Sequence, residues 1–248
     1  RLAQGRGNTA ASIAIWRRLA GLRPNDINVR LGLVNVYLAA GKAGKAWATL
    51  GRLSDMQADE ALAWYWKGVT LAALGAPEQA AVAYRKSLER KPPVTEWPWG
   101  GLGLARLEQR RLPEAIAAFR EARQANPASE QWTYQLLIAL KDGGHLEEAL
   151  KISSDLISRY PNEARYWRQH GFVLTILDRP AEAIPAYERS LHLEPRQGKV
   201  WAAMIEACQQ TNKQPEARRA YETLRGIDGA MAEAAYRKAI LPYEERRP

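Results

Sequence analysis

The chain has 248 residues and a net charge of +9, from 36 Lys and Arg against 27 Asp and Glu. A single cysteine, Cys208, excludes an intrachain disulfide and a metal site built from several cysteines. No apolar run approaches the ~18 residues that a membrane-spanning helix needs. Much of the positive charge lies where predicted helices end and cations suit the helix dipole, so we interpret it as local rather than as a sign of an anionic partner.

One segment recurs along the chain at a fixed interval. Its most regular residue is an alanine that follows acidic or polar residues, and successive copies lie 34 or 35 residues apart by subtraction of their numbers: Ala46, Ala80, Ala115, Ala149, Ala183 and Ala217. Self-similarity at a period of this size is typical of repeat architectures, in which each copy is one structural unit.

Each copy has the start and stop signals of a helix. A proline opens most copies, where its missing N–H costs nothing: Pro77, Pro113, Pro180 and Pro215. An aromatic residue follows the alanine by four positions and therefore shares its helix face: Tyr84, Phe119, Tyr187 and Tyr221. A second proline then ends the helix: Pro92, Pro127, Pro161 and Pro195.

A second predicted helix precedes each copy. A tryptophan stands at a constant distance before four of the alanines, at Trp64, Trp99, Trp167 and Trp201, and a glycine follows the first three of these at Gly68, Gly103 and Gly171. The combined pattern resembles the tetratricopeptide repeat (TPR), W-x2-L-G-x2-Y…A-x3-F…P, whose period is about 34 residues. The resemblance covers nearly the whole chain. It implies an all-α fold, a right-handed superhelical solenoid of helix-turn-helix repeats.

The repeat register divides the chain into a single predicted solenoid over residues 1–248. We expect a half-repeat at 1–26, full repeats at about 27–60, 61–94, 96–129, 130–163, 164–197 and 198–231, a terminal helix at 230–241 and a tail at 242–248. Residues 1–6 are interpreted as the end of one helix and Asn8 to Leu22 as the next. Residue 1 thus falls within a helix, so we expect the sequence to be part of a longer protein. The apolar face of Ile13, Trp16 and Leu19 would then be uncovered and would favour self-association.

No catalytic pattern is present. The sequence lacks GxxxxGK[ST], GxSxG and HExxH, and its three histidines lie at unrelated repeat positions. We therefore predict a protein that is not an enzyme, with no cofactor and no metal. Gly100, Gly101 and Gly103 lie within a predicted helix and indicate either close helix packing or room for a ligand to approach the backbone.

The resemblance also implies a binding surface. In TPR proteins the first helices of successive repeats line a concave groove, and the matching positions here give the predicted binding residues: Leu62, Tyr65, Val69, Trp97, Gly100, Leu104, Gln131, Tyr134, Ile138, Arg165, Arg168 and Phe172. We expect apolar anchors of a protein segment on the aromatic residues and an acidic group on the two arginines. Trp66, Trp97 and Trp132 do not match core positions of the repeat.

Three functions remain open from the sequence. The leading one is a non-catalytic scaffold that binds a protein or peptide segment and helps to assemble a complex. The second is the periplasmic TPR region of a bacterial envelope or exopolysaccharide export machine, with an anionic polysaccharide as a further partner. The third is the accessory array of a glycosyltransferase or sulfotransferase. Nucleic acid is disfavoured as a partner, and the cellular location stays open between periplasm and cytoplasm.

Overall fold

The computed structural model describes residues 2–51 and 60–240, and the regular secondary structure of this part of the chain is helical throughout. Its helices are α1 (Leu2–Leu22), α2 (Ile27–Ala39), α3 (Ala43–Gly51), α4 (Glu60–Ala73), α5 (Pro77–Glu89), α6 (Glu96–Glu108), α7 (Leu112–Ala125), α8 (Glu130–Asp142), α9 (Leu146–Arg159), α10 (Ala164–Ile176), α11 (Pro180–Leu193), α12 (Gly198–Gln210), α13 (Gln214–Ile227) and α14 (Gly229–Ala235). The predicted all-α class is confirmed.

Successive helices pair as the repeat pattern predicts. Helix α4 packs on α5, α6 on α7, α10 on α11 and α12 on α13. The prolines predicted to open helices do so in α5, α7, α11 and α13, each within the first two helical positions. The chain groups into two compact units, residues 1–133 and 134–248.

The turn within each helix pair uses the left-handed backbone conformation. The residues with positive φ in these turns are Gly41, Gly75, Arg110, Gly144, Asp178 and Asn212, spaced at the same interval as the alanines. Glycine, Asn and Asp tolerate this conformation, whereas Arg110 adopts it at some cost in strain. The turn geometry is thus a property of the repeat that persists even where the residue type is unfavourable.

In three repeats, a glycine of the first helix packs directly against an aromatic ring of the second helix. A Cβ atom on Gly68 would lie 2.7 Å from the ring of Tyr84, and one on Gly103 or Gly171 would lie 2.5 Å from the ring of Phe119 or Tyr187. The absence of a side chain on the first helix therefore creates the space that the ring of the second helix fills. This explains why the two residue types recur together in the sequence.

Both ends of the described chain differ from the prediction. One continuous helix, α1, replaces the two segments expected before residue 22, because Gly5 and Gly7 weaken a helix but, unlike proline, leave its hydrogen bonds intact. Ile13 and Trp16 are half-buried and pack on the core of α2 and α3, so the face expected to be uncovered is covered in part, and self-association through it stays a prediction. The terminal helix begins at Gly229 and continues as a π-helical segment, Tyr236–Ile240. Leu241 and the predicted tail at 242–248 lie outside the described residues.

Replacing Ala115 with leucine is expected to lower the free energy of unfolding by about 1–3 kcal/mol, because Ala115 is fully buried and the added atoms would overpack the α6–α7 pair. The matched control is Ala117→Leu, the same change two positions further along α7 at an exposed site. Urea unfolding followed by circular dichroism measures both. Equal stability of the two variants would contradict the register.

Candidate functional site

The predicted binding residues fall into two sets, one in each compact unit. The first unit holds Leu62, Tyr65 and Val69 on α4, Trp97, Gly100 and Leu104 on α6, and Gln131 at the start of α8. The second unit holds Tyr134 and Ile138 on α8 and Arg165, Arg168 and Phe172 on α10. The prediction thus gives one candidate surface in each unit.

An apolar pocket of about 160 Å³ lies in the first unit, where α4 and α6 flank the segment that follows α5. Three predicted binding residues line it, together with prolines and small or apolar residues: Leu62, Tyr65, Trp97, Ala61, Ser87, Pro92, Pro93, Val94 and Pro98. Proline has no backbone N–H, so this wall offers few hydrogen-bond donors. We refer to this cavity as the proline-walled pocket.

The polar groups of the proline-walled pocket are largely committed to the fold. The Ser87 hydroxyl donates a hydrogen bond of 2.6 Å to the carbonyl oxygen of Ala61, and both groups are buried. Ser190 donates to Ala164 in the same way at 3.0 Å, so this bond is a repeat feature and not a special property of the pocket. Burial raises the pKa of Tyr65, which therefore stays a neutral hydroxyl at physiological pH.

Trp97 supplies an exposed aromatic wall of the pocket. Its side chain is 43% exposed, and its ring meets the ring of Trp132 edge-on at a centroid distance of 5.7 Å. Trp132 is buried and stacks on Phe119 at 6.4 Å. One side of the Trp97 ring therefore packs on buried aromatic residues, while the other side stays exposed. This arrangement is expected of an interface anchor.

Three residues of this region have a structural role. They are Gly100, for which the structure favours the close-packing alternative, and Trp132 and Trp66, which match no core position of the repeat pattern. Gly100 is buried because Trp132 occupies the space where its side chain would lie, so its backbone is covered by the protein and not open to a ligand. Trp132, which matches no core position of the repeat pattern, belongs to the core for the same reason. Trp66 also packs against core residues. Leu104 and Gln131 are exposed, and Val69 is half-buried against the core beside Tyr84.

In the second unit, Tyr134 and Phe172 are both half-buried and backed by buried tyrosines. The ring of Tyr134 meets that of Tyr166 edge-on at 5.5 Å, and the ring of Phe172 meets that of Tyr187 at 5.6 Å. Ile138 is half-buried on the same helix as Tyr134. These residues therefore combine a packing role with a partly open face.

The two arginines of the second set are engaged within the protein. The guanidinium of Arg165 lies 4.8 Å from the ring centre of Tyr166 and 5.6 Å from that of Tyr134, and its Nε lies 3.6 Å from a carboxylate oxygen of Glu163. Arg168 donates a 2.7 Å hydrogen bond to the side-chain oxygen of Gln197. An acidic ligand would have to compete with these contacts.

Two family models for the tetratricopeptide repeat match the chain, at residues 31–94 and 106–169. The two ranges do not overlap, and together they cover just over half of the chain. The helix pairs, the turns and the glycine–aromatic contacts recur with the same period. The chain belongs to the tetratricopeptide repeat family.

Solved TPR structures share the fold at low sequence identity. The chain is similar to YrrB, described as a TPR protein with an unusual peptide-binding site, at 16% identity and a TM-score of 0.61 over 73% of this chain and 92% of that one. It is similar to a chain of the APC/C hetero-tetramer Cut9–Hcn1 at 18% identity and a TM-score of 0.66, over 94% of this chain and 46% of that one. It is also similar to MamA from Desulfovibrio magneticus at 15% identity and a TM-score of 0.64, over 69% of this chain and 97% of that one. No curated protein matches the chain.

Within the described residues, the TPR array contains no group of three or more His, Cys, Asp or Glu side chains placed to hold a metal ion. None of its described helices is both long enough and apolar enough to cross a membrane. The pocket walls formed by Pro92, Pro93 and Pro98 were missed by the sequence analysis. The signal available was the extra residue at Thr95, which lengthens the connection before α6 beside a Pro-Pro pair.

Proposed function

We propose that this TPR array is a non-catalytic scaffold that binds a segment of a partner protein, with one apolar side chain of that segment seated in the proline-walled pocket. The observation that carries the proposal is the convergence of Leu62, Tyr65 and Trp97 on this single cavity. These positions follow from the TPR groove pattern, which by itself contains no information about cavities.

The size and chemistry of the pocket favour a side chain over a small-molecule ligand. Its volume of about 160 Å³ is below the roughly 300–1,000 Å³ of typical small-molecule sites. Its lining is apolar, and the Ser87 hydroxyl already donates to Ala61. A leucine-sized or aromatic anchor would bury apolar surface there, while the neutral Tyr65 hydroxyl could donate to a backbone carbonyl of the segment.

The comparisons support the same class of function. YrrB is described as having a peptide-binding site, and Cut9–Hcn1 is a hetero-tetrameric complex. The half-buried Tyr134 and Phe172 offer a second apolar contact region in the other unit. The export-machine and enzyme-accessory functions stay predictions from the sequence.

Selection of random peptides displayed against the full chain tests the proposal. We expect enriched sequences to share an apolar or aromatic residue, flanked by positions that tolerate many residue types. A parallel selection against Leu62→Asp, which places a charge in the pocket wall, should lose these sequences because an unpaired charge would have to be buried. Enrichment of the same peptides on both proteins would contradict the proposal.

A further inference from the structure

A second and larger cavity, of about 560 Å³, lies among α1, α2 and α3 in the first unit. Its described wall includes three basic side chains, Arg17, Arg30 and Lys45, and two hydroxyl residues, Tyr37 and Thr49, and no acidic residue is among the described residues that line it. Within the described part of the chain, none of the three basic groups forms an ion pair. We refer to this cavity as the basic pocket.

The equivalent place in a later repeat shows how unusual this arrangement is. Two repeats further along the chain, Tyr37 corresponds to Arg106 and Lys45 to Glu114, and these later residues also line a common cavity. There the Nε of Arg106 lies 2.9 Å from a carboxylate oxygen of Glu114, so cation and anion neutralise each other. In the basic pocket Tyr37 and Lys45 take the places of this arginine and this glutamate, so the neutral ion pair is replaced by one net positive charge.

Lys45 differs in residue type and charge from the residues at the equivalent position of the other repeats. The other copies have Glu114, Glu148, Glu182 and Glu216, or Gln79, immediately before the repeat alanine. A carboxylate at this position interacts favourably with the positive end of the helix dipole. The positive charge of Lys45, in the first turn of α3, interacts unfavourably with the same end. Folding of α3 therefore gives no reason for this lysine.

Arg30 makes the structural hydrogen bond of the repeat tryptophan and also carries a positive charge, which tryptophan lacks. Trp167 and Trp201 each donate their indole N–H to the carbonyl oxygen of a proline six residues earlier, at 2.8 Å. Arg30 makes the same bond through Nε to Pro24 at 2.7 Å. This bond fixes the guanidinium, while its two terminal nitrogens make no hydrogen bond to any described residue.

The sequence concentrates positive charge in this region. Residues 1–50 contain eight Lys and Arg and one acid, Asp26, a net of +7 out of the +9 of the chain. The carboxylate of Asp26 caps α2 by accepting from the backbone N–H groups of Asn28 and Val29, at 2.9 and 3.2 Å. The local excess is therefore not balanced by a described acid inside the cavity.

We propose that the basic pocket binds the phosphoryl group of a small soluble phosphate ester. Arginine with a fixed guanidinium fork and lysine are the side chains that recognise phosphate oxygens, and the Tyr37 hydroxyl adds a further donor. The Thr49 hydroxyl already donates to the carbonyl oxygen of Lys45 at 2.8 Å. The volume lies within the range of small-molecule sites. This ligand site is separate from the proline-walled pocket, so it does not depend on the proposed peptide binding.

Titration calorimetry of the full chain with inorganic pyrophosphate at constant ionic strength tests the proposal. Two variants restore the residue types that other repeats use, Lys45→Glu and Arg30→Trp, so both should fold, and circular dichroism checks that they do. Each should weaken pyrophosphate binding by at least about tenfold, because a charge-assisted contact is removed. The control is Lys151→Glu, the same change of charge at an exposed position of α9.

Loss of affinity confined to the two pocket variants would support the site. An equal loss in Lys151→Glu would show that only the overall charge matters and would overturn it. So would a folded wild-type protein that does not bind pyrophosphate, including one that instead sediments with vesicles containing phosphatidic acid.

Discussion

Replacing Phe119 with alanine is expected to lower the free energy of unfolding by about 3–5 kcal/mol. Phe119 is fully buried, its ring fills the space left by Gly103, and Trp132 stacks on it. Truncation would leave a cavity between rigid helices that cannot close without moving the α6–α7 pair. Urea unfolding followed by circular dichroism gives the loss.

The control for Phe119→Ala is Val82→Ala on α5, where the side chain is 41% exposed. We expect this change to stay within about 0.5 kcal/mol of the wild type, as for most surface substitutions. A Phe119→Ala variant as stable as Val82→Ala would show that the glycine–aromatic contact is not what holds the repeat together.

Replacing Trp97 with alanine is expected to weaken binding of a selected peptide by at least about 2 kcal/mol, or roughly 30-fold, since buried tryptophan anchors dominate interface energies. The open face of Trp97 forms a wall of the proline-walled pocket, while its edge rests on Trp132. Removing the ring takes away the anchor wall but leaves the buried Trp132–Phe119 stack in place. Calorimetric titration of the peptide into both proteins measures the loss.

The chain provides a matched control for Trp97→Ala. Trp47 on α3 has the same exposed fraction, 43%, and does not line the proline-walled pocket. Trp47→Ala should leave peptide affinity unchanged within about twofold. Equal losses in both variants would mean that exposed tryptophans affect binding without regard to position, and the pocket would not be the site.

The repeat register was predictable because each of its signals acts locally or at a fixed interval. Helix-opening prolines, the small alanine and the paired glycine and aromatic residue each act through sterics that hold in every copy, so Pro113, Ala115 and Phe119 could be assigned from the sequence alone. The continuity of α1 was not predictable in the same way, since weak breakers such as Gly5 and Gly7 only lower a propensity.

The candidate sites were predictable only in part. The pattern placed Leu62, Tyr65 and Trp97 among the binding residues, but their cavity also depends on the path of the chain from Pro92 to Val94, which lies outside the repeat pattern. The cover over Gly100 comes from Trp132 in the next repeat, a contact that no local spacing encodes. The basic pocket emerges only when three helices bring its cationic side chains together.

Nuclear magnetic resonance of the ¹⁵N-labelled protein, titrated with a display-selected peptide, tests the proposed peptide site most directly. We expect the indole N–H of Trp97 and the backbone amides of Leu62, Tyr65 and Val94 to shift on binding, while the indole N–H of Trp47 does not. Saturation of the protein with peptide while the Trp97 and Tyr65 signals stay in place would contradict binding in the proline-walled pocket.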